Sequence, residues 1–130
     1  MTARRTFLAT LLGGAGVAAL GADGLERAPS DVALLNTALE LEHTAVFAYG
    51  LAGGSGLLSK GALEVGGLFR GSHARHRDTL VEAVKSLGGF PIAPRPAYDF
   101  SAFELKTETD LLRLALFLEM KAAHTYQRAL

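Results

Sequence analysis

The sequence has 130 residues, of which 49% are hydrophobic and 20% are charged, as in one globular domain rather than a disordered tail. Its 13 Lys and Arg balance its 13 Asp and Glu, which argues against nucleic acid as a partner because nucleic-acid binders use a basic excess to neutralise phosphates. There is no cysteine, which excludes disulfides, thiolate nucleophiles and cysteine-ligated zinc or iron–sulfur sites. Any metal must therefore be held by histidine, carboxylate or main-chain oxygen atoms.

Residues 1–21 are predicted to be an export signal. Two arginines precede an uncharged stretch, residues 7–22, and this order is typical of secretory signals. The stretch is shorter than the about 20 residues that a membrane span needs. The pattern resembles the twin-arginine signal, which an export receptor reads as an address. The residues that carry this resemblance are Arg4, Arg5, Phe7 and Leu8.

We therefore expect a protein exported across the cytoplasmic membrane to the periplasm, the cell envelope or the medium. Cleavage is expected to leave a mature chain that begins at Ala22, with a linker at residues 22–29 and the folded domain at residues 30–130. The alternatives are a general secretory signal or an uncleaved anchor, and the latter would be the protein's one contact with a membrane.

Three helical segments are predicted after the linker. Ser30 is a typical N-cap for a first helix over residues 31–51, and Thr107 begins a third segment that runs to the end of the chain. The second segment spans about residues 57–87, with a kink or a late start near Leu68 because its first half is rich in glycine. No segment alternates like a strand, so the fold class is all-α.

The connection between the second and third segments, residues 88–106, is too long for a tight turn between neighbouring helices. It holds three of the four prolines and several aromatic side chains, which suggest that it packs along a surface. One long crossover of this kind is typical of ferritin-like bundles. The predicted apolar faces are Leu35, Ala38, Leu39, Ala45, Val46 and Tyr49 in the first helix and Leu111, Leu112, Ala115, Leu118, Ala122 and Tyr126 in the third.

An internal repeat links the first and third helices. Residues 39–49 and 116–126 both fit the pattern L-x-L-E-x-x-A-x-x-x-Y. The repeated glutamates, Glu42 and Glu119, fall within the apolar faces. A buried carboxylate needs a cation, a proton or strong hydrogen bonds, so these two are the leading candidates for function.

The second helix carries His73 and His76, which are three residues apart, and at least His76 is expected to face the same interior. Two inward glutamates and two inward histidines are a plausible set of oxygen and nitrogen ligands for iron or manganese. Glu40 and His43 also fit E-x-x-H, but they lie on a flank of the first helix and are expected to be solvated. His124 is likewise expected at the surface.

The sequence resembles the ferritin-like superfamily, and within it an exported bacterial branch of uncharacterised function. The resemblance covers about residues 31–130, and the motifs that carry it are E-x-x-A-x-x-x-Y-G in the first helix, H-x-x-x-R-D-x-L in the second and L-x-x-x-L-E in the third. It implies an up-down four-helix bundle with a di-iron site of two single glutamates and two Glu-x-x-His motifs. Glu42 and Glu119 match the single glutamates and His76 matches one histidine, whereas His73 replaces the glutamate of that motif.

The resemblance also implies a fourth helix beyond Leu130, so three helices of the four are expected here. Either the sequence is a fragment, or another chain completes the bundle, for example a homo-oligomer formed through the open groove.

Two functions follow from these patterns. The first is an exported ferritin-like protein that binds iron or manganese for redox or storage chemistry through Glu42, His73, His76 and Glu119. The alternative is a metal-free helical module of the cell envelope, in which Tyr or His side chains satisfy the two glutamates. Core packing is the expected role of Tyr49 and Tyr126. No catalytic residue and no other cofactor is predicted.

Overall fold

The computed structural model describes residues 30–129, so the predicted export signal and its cleavage site lie outside the described residues. Three α-helices, α1 (Asp31–Gly54), α2 (Lys60–Ser86) and α3 (Glu108–Ala129), and one short 3-10 helix at Ser101–Phe103 make up the regular structure. Residues 30–129 contain no strand, so the prediction of an all-α fold is confirmed. None of these helices is long and apolar enough to cross a membrane.

Serine side chains begin the first two helices. Ser30 Oγ accepts a hydrogen bond from the Ala33 amide at 3.2 Å, and Ser59 Oγ accepts one from the Ala62 amide at 3.4 Å. The second cap places the start of α2 at Lys60, so the predicted late start near Leu68 is wrong. The glycines lower helix propensity by about 1 kcal/mol each, but the cap and the packing of α2 against α1 outweigh this preference.

The helices pack on both sides of α1. One core cluster joins α1 to α2 and includes Leu39, Leu80 and Val84, whose side chains are almost fully buried. A second cluster joins Ala48 of α1 to Leu114 and Leu118 of α3. Because the end of α1 meets the first half of α3, these two helices run antiparallel.

The buried face of α3 differs from the predicted apolar face at one turn of the helix. Leu114 is buried, whereas Leu112, which was predicted to face the core, is 51% exposed. The buried positions Leu111, Leu114, Leu118 and Ala122 follow a spacing of three and four residues that brings one narrow stripe onto α1. Leu112 lies outside that stripe.

The crossover between α2 and α3 is fixed to the flank of α1. The Asn36 side chain donates to the Phe90 carbonyl and accepts from the Ile92 amide, both at 3.0 Å, and His43 Nε2 lies 3.1 Å from the Ile92 carbonyl. Further along, Glu40 pairs with Arg95 at 2.6 Å. The prediction that these residues are solvated is therefore wrong for His43, which the crossover buries, whereas Glu40 keeps 28% of its side chain exposed beside Arg95.

Aromatic side chains hold the later part of the crossover. The ring of Phe47 on α1 lies 5.3 Å from that of Tyr98 and 6.2 Å from that of Phe100, and Phe103 packs against Phe117 of α3 at 5.3 Å. The prediction that the crossover lies along a surface is confirmed for these residues.

Large apolar side chains of α2 and α3 are exposed. This is the arrangement of a helical bundle in which three helices leave one side open. The exposed side chains are Leu63, Val65, Leu68, Phe69, Leu112, Leu116 and Met120.

Candidate metal centre

The repeated glutamates lie close together at the middle of the bundle. Glu42 on α1 is completely buried. Its Oε1 accepts a hydrogen bond of 2.6 Å from the hydroxyl of Tyr126, and its Oε2 lies 2.6 Å from His73 Nδ1. Both carboxylate oxygens are therefore partnered within the chain, as a buried carboxylate requires.

Glu119 on α3 has the matching set of partners. Its Oε1 accepts from the hydroxyl of Tyr49 at 2.7 Å and lies 2.9 Å from His73 Nε2. Its side chain is 39% exposed, so one side of this carboxylate faces solvent. Each glutamate of the repeat is thus bound by the tyrosine of the other repeat. The antiparallel packing of α1 and α3 makes this exchange possible.

His73 lies between the two carboxylates and is 6% exposed. Because both of its ring nitrogens are within hydrogen-bond distance of carboxylate oxygens, both nitrogens donate and the ring is an imidazolium. The ring also stacks on Tyr49, with centroids 5.6 Å apart and planes 21° from parallel. His73 therefore bridges all three helices.

His76 is one turn further along α2 and lies at the edge of the site. Its Nδ1 is 3.6 Å from Glu42 Oε1, which is longer than a normal hydrogen bond, and its side chain is 50% exposed. The expectation that His76 faces the interior more surely than its neighbour is wrong, since His73 is the buried one. The physical reason is rotation about α2: three residues turn a side chain by about 60°, which here carries it from the α1 contact toward the open side.

The buried charges shift the pKa values of the groups that contact them. Burial by itself lowers the pKa of His73, but the hydrogen bonds to Glu42 and Glu119, together with their negative charges, raise it further, to about 9. Burial and the bond to Glu119 raise the pKa of Tyr49 above its usual range. Burial and the negative charge of Glu42 do the same for Tyr126. At neutral pH the site therefore holds a protonated imidazole and two neutral phenols.

A cavity of about 250 Å³ opens onto this cluster from the side that carries His76. Its walls include Glu42, His73, Glu119 and Tyr126, with the small side chains of Ala122 and Ala123. The cavity gives a small ion or water a route to the carboxylates.

The fold brings together all four candidate metal ligands, and two residues that were predicted only to pack the core join them. Tyr49 and Tyr126 act as hydrogen-bond donors to the carboxylates and do more than fill the core. The repeat itself carried the signal, because the tyrosine recurs seven residues after the glutamate in both copies. His124 is exposed, as predicted.

Comparison with known proteins identifies the family of this chain. The model of a family described as "Ferritin-like domain" matches residues 30–130, which include all three helices and the whole site. The chain belongs to this family. No curated protein and no solved structure matches it.

The donor set of this ferritin-like domain fits a first-row metal ion. Ligand atoms from Glu42, His73 and His76 all lie within 4.8 Å of one another, and Glu119 adds a second carboxylate beside His73. Carboxylate oxygen and imidazole nitrogen suit iron and manganese. Two carboxylates against one imidazolium also leave an excess of negative charge that a cation would neutralise. His73 must lose a proton before it can act as a ligand, because both of its ring nitrogens carry hydrogen in the arrangement described.

Proposed function

We propose that this ferritin-like domain binds a divalent iron or manganese ion through Glu42, His73, His76 and Glu119. The observation that carries the proposal is the convergence of Glu42, His73 and His76 within 4.8 Å, with one of the two carboxylates completely buried. Charged side chains are rarely buried in the middle of a helical bundle unless they hold an ion or each other.

The proposal assigns a task to each residue. Glu42 is held by Tyr126 and supplies a fixed carboxylate, and Glu119 is held by Tyr49 in the same way. Such hydrogen bonds orient a ligand and adjust its basicity. His76 is half-exposed on the open side and lies 3.6 Å from Glu42, beyond normal hydrogen-bond distance, and His73 exchanges its proton for the ion. Metal affinity is therefore expected to rise with pH, because the fraction of His73 that has lost its proton rises with pH.

Iron or manganese in such a site supplies one-electron redox chemistry, and we propose redox or storage of the metal as the use of the site. The carboxylates would neutralise the charge of the ion, and the two tyrosines would keep the carboxylates in place. The cavity of about 250 Å³ would admit the ion from the side of His76.

The test is a metal analysis of the purified full chain, followed by titration with Mn²⁺, or with Fe²⁺ without oxygen, after dialysis against chelator. We expect one tight site that Glu42→Ala removes and Glu40→Ala keeps, since Glu40 lies on the same helix but pairs with Arg95 on the other side. His76→Ala provides a second variant, because its half-exposed side chain can be removed without opening the core. His124→Ala is its control. Equal binding by His76→Ala, His124→Ala and the parent chain would exclude the proposed site.

A metal-free module is the second candidate function, and one observation favours it. Among residues 30–129, no buried side-chain nitrogen or oxygen lacks a hydrogen-bond partner, so the cluster is satisfied by its own residues. The two candidates differ in the thermal unfolding temperature. A metal site raises it on addition of Mn²⁺, whereas a self-sufficient network leaves it unchanged.

We also propose that the chain is exported through a twin-arginine signal, which rests on Arg4, Arg5, Phe7 and Leu8. The test is fractionation of cells that express the full chain and its Arg4→Lys/Arg5→Lys variant, with N-terminal sequencing of the exported form. Retention of the variant and a mature start at Ala22 are expected. Export of both forms would exclude the signal.

A further inference from the structure

The four residues of the candidate metal centre do not occupy equivalent positions. Ligand atoms of Glu42, His73 and His76 converge within 4.8 Å of one another, and Glu119 is not part of this group. Glu119 meets His73 at Nε2, at 2.9 Å, whereas Glu42 meets it at Nδ1, at 2.6 Å. The imidazole ring of His73 therefore lies between Glu119 and the converging group.

The two nitrogens of His73 are suited to different tasks. A histidine that coordinates a metal through one nitrogen typically donates the N–H of the other to a carboxylate, which fixes the tautomer and the orientation of the ring. His73 has this arrangement, since Nδ1 is on the side of Glu42 and Nε2 is on the side of Glu119. Loss of the Nδ1 proton leaves a ligand atom directed at the group, while the Nε2–H bond to Glu119 is kept.

Tyr49 supports the contact between His73 and Glu119 from both sides. Its hydroxyl donates to the same Glu119 Oε1 at 2.7 Å, and its ring stacks on His73 with centroids 5.6 Å apart. These two contacts fix the carboxylate and the imidazole relative to each other, as a carboxylate that orients a metal ligand requires.

The converging group contains two imidazoles and one carboxylate. His73 and His76 lie on α2 with ring centroids 6.2 Å apart, and Glu42 comes from α1. Two histidines and one carboxylate on one face of an iron(II) ion are the donor set of non-haem centres that bind dioxygen, because the ion keeps open coordination positions. On the α3 side, the cavity beside the group is walled in part by Ala122 and Ala123, whose side chains have no donor atoms.

We propose that Glu42, His73 and His76 coordinate one ferrous ion whose open positions take a small diatomic ligand such as dioxygen. Glu119 is a positioning residue, which acts on the ion through His73. This inference rests on the proposed function and deepens it, because it separates ligands from a positioning residue and names the class of the exogenous ligand. It differs from an arrangement in which His73 keeps both protons and Glu119 is the third ligand, since that arrangement places only one imidazole on the ion.

The first test counts the imidazole nitrogens bound to the ion, by electron spin-echo spectroscopy of the full chain loaded with Mn²⁺ as a paramagnetic substitute for Fe²⁺. We expect two nitrogens in the parent chain and one in His76→Gln, whose half-exposed side chain can be replaced without opening the core. His124→Gln, which removes an exposed histidine, is the control and should keep two. If His73 keeps both protons, the parent has one nitrogen and His76→Gln has none.

A matched pair of variants tests the different roles of the carboxylates. Glu119→Gln and Glu42→Gln remove the same charge, and each glutamine keeps an acceptor oxygen for the neighbouring tyrosine. We expect Glu119→Gln to keep two bound nitrogens and to weaken Mn²⁺ binding about tenfold to a hundredfold, as is typical for loss of a partner that orients a ligand. Glu42→Gln is expected to lose stoichiometric binding. Both are checked for folding by circular dichroism, and equal effects of the two would make Glu119 a ligand and overturn the inference.

The open positions are tested with nitric oxide, added without oxygen to the chain loaded with Fe²⁺. We expect the EPR signal of a ferrous nitrosyl, which is absent when the chain is first loaded with Zn²⁺. Bound Fe²⁺ that gives no such signal would overturn the open positions. Absence of any bound Mn²⁺ would overturn the proposed function and this inference together, whereas bound Mn²⁺ with a single imidazole nitrogen would overturn this inference alone.

Discussion

The protonated His73 between two carboxylates predicts a specific dependence of stability on pH. The perturbation is Glu42→Gln, which keeps the shape of the side chain and an acceptor for Tyr126 but removes the negative charge that faces His73 Nδ1 at 2.6 Å. In the parent chain the pKa of His73 is raised to about 9. The variant is expected to lower it toward the ordinary value, because the largest favourable partner of the imidazolium is gone.

The sign and the size follow from linkage. A histidine whose pKa is higher in the folded chain than in the unfolded one stabilises the fold fully below the unfolded pKa and loses that contribution as the pH rises through the folded pKa. The pKa of His73 rises from 6.5 to about 9, and at 1.36 kcal/mol per pH unit this corresponds to about 3 kcal/mol. Because Glu119 is 39% exposed, solvent screens part of this interaction and the measured value should be smaller.

The assay is urea unfolding of the chelator-treated chain at pH 6, 7.5 and 9, for the parent and for Glu42→Gln. We expect the free energy of unfolding of the parent to fall across this window and that of the variant to fall much less. His124→Gln, which removes an exposed histidine, is the control and should behave like the parent. The window stops at pH 9 because ionisation of the unfolded chain's tyrosines, whose pKa values are raised in the fold, lowers stability above about pH 10. A parent whose stability does not change between pH 6 and 9, or a variant with the parent's slope, would refute the assignment of His73 as an imidazolium.

Three further substitutions test the packing around the site by chemical denaturation. Tyr126→Phe removes the donor at 2.6 Å from the completely buried Glu42 and is expected to lower stability by about 1–3 kcal/mol; an unchanged stability would mean that water replaces the hydroxyl. Asn36→Ala removes both side-chain bonds to the crossover, and we expect a loss of about 1–3 kcal/mol together with faster amide exchange in that segment. Leu39→Ala is expected to lower stability by about 2–5 kcal/mol, whereas Leu116→Ala, at a side chain that is 61% exposed, should change it by less than about 0.5 kcal/mol. Similar losses in the last two variants would show that Leu116 is covered in solution.

The repeat shows which site residues can be predicted from the sequence alone. Glu42 and Glu119 could be predicted because a carboxylate within an apolar face is unusual, and this is visible in one helix without knowledge of its neighbours. The role of the tyrosines was not identifiable in this way. Tyr126 reaches Glu42 only because α3 runs antiparallel to α1, and helix direction is a property of the assembled bundle.

The flank of α1 shows a contact that the sequence pattern could not predict. The spacing of Glu40 and His43 correctly indicated that they lie off the core stripe, yet the crossover buries His43 and supplies Arg95 as a partner for Glu40. A helical wheel describes one helix and carries no information about a loop that arrives from 49 residues further along, as in the contact of His43 with Ile92. The burial of His73 in place of His76 has the same origin, since the helix packed against α2 determines which side of α2 is buried.

The sequence by itself determined the class of the fold, the presence of three helices and the two inward glutamates, because helix caps, apolar spacing and the cost of a buried charge act within one segment. The tertiary structure alone decided that His73 is buried between the glutamates and that each glutamate is bound by the tyrosine of the other repeat. These are relations between side chains of different helices. They depend on the direction and rotation of each helix against its neighbour, which the pattern along a single helix does not contain.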